Sequence, residues 1–116
     1  MKYQIKKDKY TKARGGNAKF LILSCGTCLK EIFIYQKDGP GSLVRLYLDK
    51  FVAPESFIKE LNNIENKNDM HGLKCPNCSE LLGVPMIYEK EKRLAFRLLN
   101  NKIKKREENS PLKYDL

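Results

Sequence analysis

The chain has 116 residues, an apolar fraction of 41% and a formal charge of +9. That length suits one compact domain with a modest core, and the longest apolar run, residues 20–23, is far too short to cross a bilayer. The opening residues hold no apolar stretch of the kind a secretory signal needs, so a cytoplasmic protein with no membrane association is expected.

The charge is unevenly placed. Residues 1–19 carry seven basic side chains against Asp8, and residues 90–106 carry eight against Glu91, giving +6 and +7. Residues 20–89 sum to −2, from seven basic and nine acidic side chains. Two basic ends around a near-neutral middle fit contact with nucleic acid or an acidic protein, and they equally fit a solubilising fringe of lysines.

In chain order, residues 1–18 read as a basic arm, flexible or forming a weak edge strand, broken by Gly15-Gly16-Asn17. Two β-rich stretches, 20–23 and 31–36, flank Cys25-Gly26-Thr27-Cys28 and predict a hairpin with a metal knuckle at its tip. Lys37-Asp38-Gly39-Pro40-Gly41-Ser42 is a dense turn signal. Residues 42–49 then alternate, with Val44, Leu46 and Leu48 on one face and Arg45 on the wetter one. Pro54 followed by Phe57, Ile58 and Leu61 predicts a short helix, fading into an asparagine-rich mobile loop over 62–69. Residues 84–88 and 93–98 predict a second hairpin, Asn100-Asn101 a tight turn, and 107–116 a disordered tail. The fold class expected is α+β, a mostly antiparallel zinc-binding domain over 19–106 with one short helix.

The four cysteines are Cys25, Cys28, Cys75 and Cys78. In a reducing compartment two Cys-x-x-Cys pairs point to one metal ion rather than to disulfides. Zinc accepts four thiolates in a closed tetrahedron, and the proline of Cys75-Pro76-Asn77-Cys78 pre-sets the turn, so Zn2+ is the expected cofactor. Iron in a rubredoxin-like centre would use the same ligands. A thiol redox pair would open a helix within a βαβ unit, whereas residues 30–35 read as a strand. His71, four residues before Cys75, is a competing ligand or a surface side chain.

The 46 residues between the pairs exceed the ~15 to 20 of a compact zinc ribbon. Two knuckles at this separation resemble the β-tent group, which includes Yippee-like domains, the thalidomide-binding domain of cereblon and zinc-bearing methionine-R-sulfoxide reductases. The chain departs from the reductases in having no fifth cysteine to act as nucleophile. It also has Ser79 where a glycine usually follows the second knuckle, which keeps a plain zinc ribbon open. The resemblance implies a binding adaptor, with a pocket for a protein or small ligand near Tyr35, Arg45 and Tyr47.

No Ser/His/Asp set, carboxylate pair or open metal site points to catalysis, so a non-enzymatic protein is expected. On the nucleic-acid reading, Lys2, Lys6, Lys7, Arg14, Arg97, Lys102, Lys104, Lys105 and Arg106 supply the phosphate contacts. Tyr35, Tyr47 and Tyr88 with Arg45, Arg93 and Arg97 would stack bases on one sheet face, or pack against one another. Gly39-Pro40-Gly41-Ser42 reads as a hairpin turn, with phosphate binding through its amides as the alternative.

Overall fold

The computed structural model describes residues 4–108. Two four-stranded antiparallel sheets make the body. β1 (Ala18–Cys25) and β2 (Glu31–Asp38) form the first hairpin, flanked by β4 (Phe51–Ala53) and by β8 (Ile103–Glu108), in the order β4-β2-β1-β8. The second sheet runs β3-β7-β6-β5, from β3 (Arg45–Tyr47), β5 (Leu73–Lys74), β6 (Leu81–Tyr88) and β7 (Arg93–Leu98). The class is α+β as expected, with two short helices where one was predicted. Among the described residues no helix is long and apolar enough to cross a membrane.

Strand alternation divides the first sheet between two apolar layers. Leu21, Leu23, Phe33 and Tyr35 face Leu46, Leu73, Leu82 and Phe96 of the second sheet, and this is the main core. Phe33 and Phe51 meet edge to face at 5.4 Å within it, and Phe57 of α2 (Glu55–Asn62) lies 4.9 Å from Phe33. The alternate residues Phe20, Ile22, Ile34 and Ala53 form a second layer with Ile5 and Val52 packed on it.

The structure departs from the sequence reading at several points. Residues 9–13 are not an arm or edge strand but α1 (Lys9–Ala13). Asp8 caps it, accepting from the Tyr10 and Thr11 amides at 3.0 and 3.1 Å, while the Asp8 amide donates to Thr11 Oγ1. The strand predicted over 42–49 shrinks to three residues because the chain turns into a 3-10 coil at Leu48–Lys50, which carries Lys50 inward. Val44, predicted on the apolar face, is 50% exposed. The 62–69 loop contains a further 3-10 turn, Lys67–Asp69, capped by Asn66. Glu107 and Glu108, assigned to the tail, belong to β8, where Glu107 pairs with Lys19. Lys2 and residues 109–116 lie outside the described residues.

Candidate metal centre and the adjoining cleft

The two Cys-x-x-Cys pairs occupy equivalent turns on different sheets. Cys25 ends β1 and Cys28 lies in the β1–β2 turn; Cys75 and Cys78 lie in the β5–β6 turn. The local wiring is the same in both. The Thr27 and Cys28 amides donate to Cys25 Sγ at 3.4 and 3.5 Å, and the Asn77 and Cys78 amides donate to Cys75 Sγ at 3.3 and 3.4 Å. Each turn closes with two backbone bonds of 2.9 Å: the Leu29 amide donates to the Cys25 carbonyl and the Cys25 amide to the Lys30 carbonyl, as the Ser79 amide does to Cys75 and the Cys75 amide to Glu80.

Brought together, the turns interleave their sulfurs. Cys25 Sγ lies 3.6 Å from Cys78 Sγ, Cys28 Sγ lies 3.7 Å from Cys75 Sγ, and all four fall within 4.8 Å of one another. Ligands about 2.3 Å from a tetrahedral ion stand about 3.8 Å apart, whereas a disulfide needs about 2.05 Å. The spacing is therefore that of four thiolates around one ion, and all four cysteines are free. The cluster can hold a metal ion, and no other group of potential ligands of this kind occurs among the described residues. His71 is exposed and stands outside it.

Three of the thiols are shifted, two down and one up. The Asn77 side-chain amide, 3.4 Å from Cys28 Sγ, leads the interactions that bring the Cys28 thiol down to about 6. Burial pushes Cys25 up, but the Cys28 and Thr27 amides outweigh it and the thiol is lowered. At Cys78 a backbone bond at Glu80 favours the thiolate; partial desolvation and the three neighbouring sulfurs prevail and push the thiol up to about 12. Thiolates crowded this closely repel, and a divalent cation among them removes the conflict by deprotonating every ligand.

The surroundings hold both turns in register. The Gly26 amide donates to the Lys102 carbonyl at 2.8 Å, and a Cβ at Gly26 would sit 2.4 Å from the Asn101 carbonyl oxygen, so only glycine fits. Lys102 reaches Glu80 at 3.0 Å, beside the other turn. The turn between β7 and β8 thus braces both knuckles.

The residue after each pair carries strain. Leu29 and Ser79 have φ of 68° and 67°, a left-handed conformation costing a non-glycine residue about 1–2 kcal/mol. Glycine removes that cost and returns part of it as unfolded-state entropy. Ser79→Gly is expected to stabilise the metal-loaded protein by about 0.5–1 kcal/mol, read as a melting temperature higher by roughly 4 °C. An unchanged or lowered melting temperature would show that no strain resides there.

Tyr35, Arg45 and Tyr47, read from the sequence as neighbours of a pocket, line one cleft of about 390 Å³ between β2 and β3. The Tyr47 amide donates to the Tyr35 hydroxyl at 2.7 Å across it, joining the sheets. The tyrosines do not offer a base-stacking face. Arg93 lies between Tyr10 and Tyr47 with its guanidinium carbon 3.7 Å from each ring centroid, and Arg45 lies 4.2 Å from the Tyr88 centroid. Arginines of the same chain already cover these rings.

The basic residues assigned to phosphate contact separate into two groups. Arg14 grips Glu91 with bonds of 2.9 and 2.8 Å, Lys102 pairs with Glu80, and Arg106 pairs with Glu31 at 2.8 Å and Glu108 at 3.3 Å. Lys6, Lys7, Arg97, Lys104 and Lys105 are exposed, with no carboxylate within 4.0 Å among the described residues. Sequence reasoning missed Lys50, only 2% exposed, whose ammonium lies 2.9 Å from both Asp8 and Asp38. Asp8 followed by Thr11 three residues later was a visible cap signal; the partnership with Lys50 had none. No protein-family model matches the chain, and neither the curated proteins nor the solved structures contain a significant match to it.

Proposed function

We propose that this chain is a non-enzymatic structural-zinc protein of β-tent type, in which Cys25, Cys28, Cys75 and Cys78 hold Zn2+ and fix two sheets around a binding cleft. One observation carries the reading: four sulfurs at tetrahedral spacing join hairpin tips that belong to separate sheets. Four protein thiolates fill a tetrahedral ion and leave no position for substrate or water, which suits a structural rather than a catalytic centre. Zinc is favoured over iron because a redox-inert ion meets a purely structural need. Protein expressed with both metals available is expected to carry one zinc per chain and no visible absorption. A coloured protein carrying stoichiometric iron would contradict the assignment.

A second reading, contact with nucleic acid, is supported by the exposed Lys104 and Lys105 on edge strand β8 together with Lys6, Lys7 and Arg97. Its signature is affinity that falls steeply with salt. Ion pairing of Arg14, Lys102 and Arg106 within the fold reduces the cations available for it, and the cleft is the stronger candidate surface.

A further inference from the structure

The cleft between β2 and β3 is lined by four cations, Arg14, Lys37, Arg45 and Lys50, and by one acid, Asp38. Two of the cations are matched: Lys50 by Asp8 and Asp38, and Arg14 by Glu91. Lys37 and Arg45 have no carboxylate within 4.0 Å among the described residues. Lys37 is only 7% exposed, and its ammonium donates to the Gly39 carbonyl at 2.7 Å, which uses one of its three donors. Gly39 itself packs so closely on Arg14 that a Cβ there would lie 2.7 Å from Arg14 Cβ, so the loop is held against the cleft. Arg45 spends its Nε on the Tyr47 hydroxyl at 3.2 Å and rests its guanidinium on the Tyr88 ring at 4.2 Å, which leaves the in-plane donors at the end of the guanidinium for a ligand.

A buried ammonium in no ion pair is expensive, and a methionine of similar shape would fill the same space without that cost. Burial lowers the Lys37 pKa, and Lys19, Lys105 and Arg14 lower it further, outweighing the opposing attraction of Asp38. The fold therefore holds a concentrated positive charge in a concave site, and an anion relieves it.

We propose that this cleft binds the phosphate group of a small phosphomonoester, held by Lys37 and Arg45 with the Ser42 hydroxyl at the rim. A dianion matches two unpaired cations, and charge-assisted bonds to phosphate are the strong class of hydrogen bond. The volume exceeds what a bare phosphate fills and leaves room for an organic group beside Leu43 and Val44. The inference rests on the proposed function in one respect, that the metal holds β2 and β3 in place.

The test is a titration of isotope-labelled, zinc-loaded protein with inorganic phosphate, phenyl phosphate and acetate at constant ionic strength, followed by amide resonances. Both phosphates are expected to shift residues 37–45 saturably, phenyl phosphate more tightly, and acetate about tenfold more weakly. Lys37→Met and Arg45→Met should each weaken phosphate about tenfold or more, while Lys104→Met leaves it unchanged. Lys37→Met should also raise the melting temperature of the ligand-free protein, because it removes a buried charge that forms no ion pair. The proposal is overturned by an absence of saturable shifts, by shifts confined to β8, or by wild-type affinity in both cleft variants. Native mass spectrometry of the same samples separates the two failures. Phosphate silence with zinc retained sinks the phosphate site alone, whereas a folded, metal-free chain that still takes phosphate sinks the metal assignment alone.

Discussion

Cys75→Ser is expected to abolish the fold rather than to weaken it. Cys75 is 2% exposed and belongs to the main core, and its sulfur accepts two backbone amides while facing Cys28. Serine shortens the ligand, hardens the donor and leaves three thiolates to share an incomplete site. Structural zinc contributes about 10–16 kcal/mol in small zinc domains, comparable with the whole stability of about 5–15 kcal/mol of an ordinary domain. A chain of 116 residues with a modest core has little to set against that loss. The expected readout is a far-ultraviolet spectrum without strand signal and collapse of amide dispersion, with chelation of the wild type giving the same result. A Cys75→Ser protein with native dispersion would show that the core alone holds the sheets.

The second large effect is expected at Lys50. Its ammonium is the common partner of Asp8 from the cap of α1 and Asp38 from the end of β2, with Thr11 Oγ1 at 3.4 Å. Lys50→Met keeps the shape and leaves two carboxylates facing each other without a cation. Breaking a buried pair in this way costs about 3–5 kcal/mol, read as a lower urea midpoint of the metal-loaded protein.

The pH dependence adds a sign that simple loss of packing would not reproduce. Burial alone would raise the Asp8 carboxyl, but the Lys50 ammonium and the Thr11 amide outweigh it and hold it well below its ordinary 3.8. In the wild type this contribution is complete above 3.8 and is lost only as pH falls below it towards the depressed folded value. Without Lys50, burial and the facing carboxylate raise the Asp8 carboxyl instead, so the variant regains stability as pH falls through its raised value. The stability gap between wild type and Lys50→Met should therefore narrow from neutral pH towards about 4. Proton-driven metal release affects both proteins and largely cancels in the difference. A constant gap would mean that the cost of the substitution is steric.

What the sequence made legible was what is written locally. Cys25, Cys28, Cys75 and Cys78 announce a metal by type and spacing, and the first knuckle hairpin follows from the β-rich segments around it, whereas the two-residue β5 before Cys75 is too short to leave a pattern. The helix after Pro54 and the turn at Asn101, with φ of 62°, were also local signals. The region before β1 was misread because α1 is a single turn whose partners lie far along the chain: Asp8 meets Lys50, and Arg14 meets Glu91. A count of charges makes these residues a basic arm; the fold makes them inter-element ties. The strand at 42–49 was overextended because alternation cannot reveal that Lys50 must turn inward to reach two carboxylates. The cleft was half legible: Tyr35, Arg45 and Tyr47 lie near one turn, but Lys37 reads as an ordinary turn lysine until burial is known.

The most direct test of the central claim is native mass spectrometry of untagged protein, purified under reducing conditions, paired with circular dichroism before and after chelation. The account predicts one zinc ion per folded chain, four fewer protons on the cysteines in the loaded form, and loss of the fold when the metal is removed. A chain that folds without metal, or that carries two disulfides in place of four metal-bound sulfurs, would contradict it.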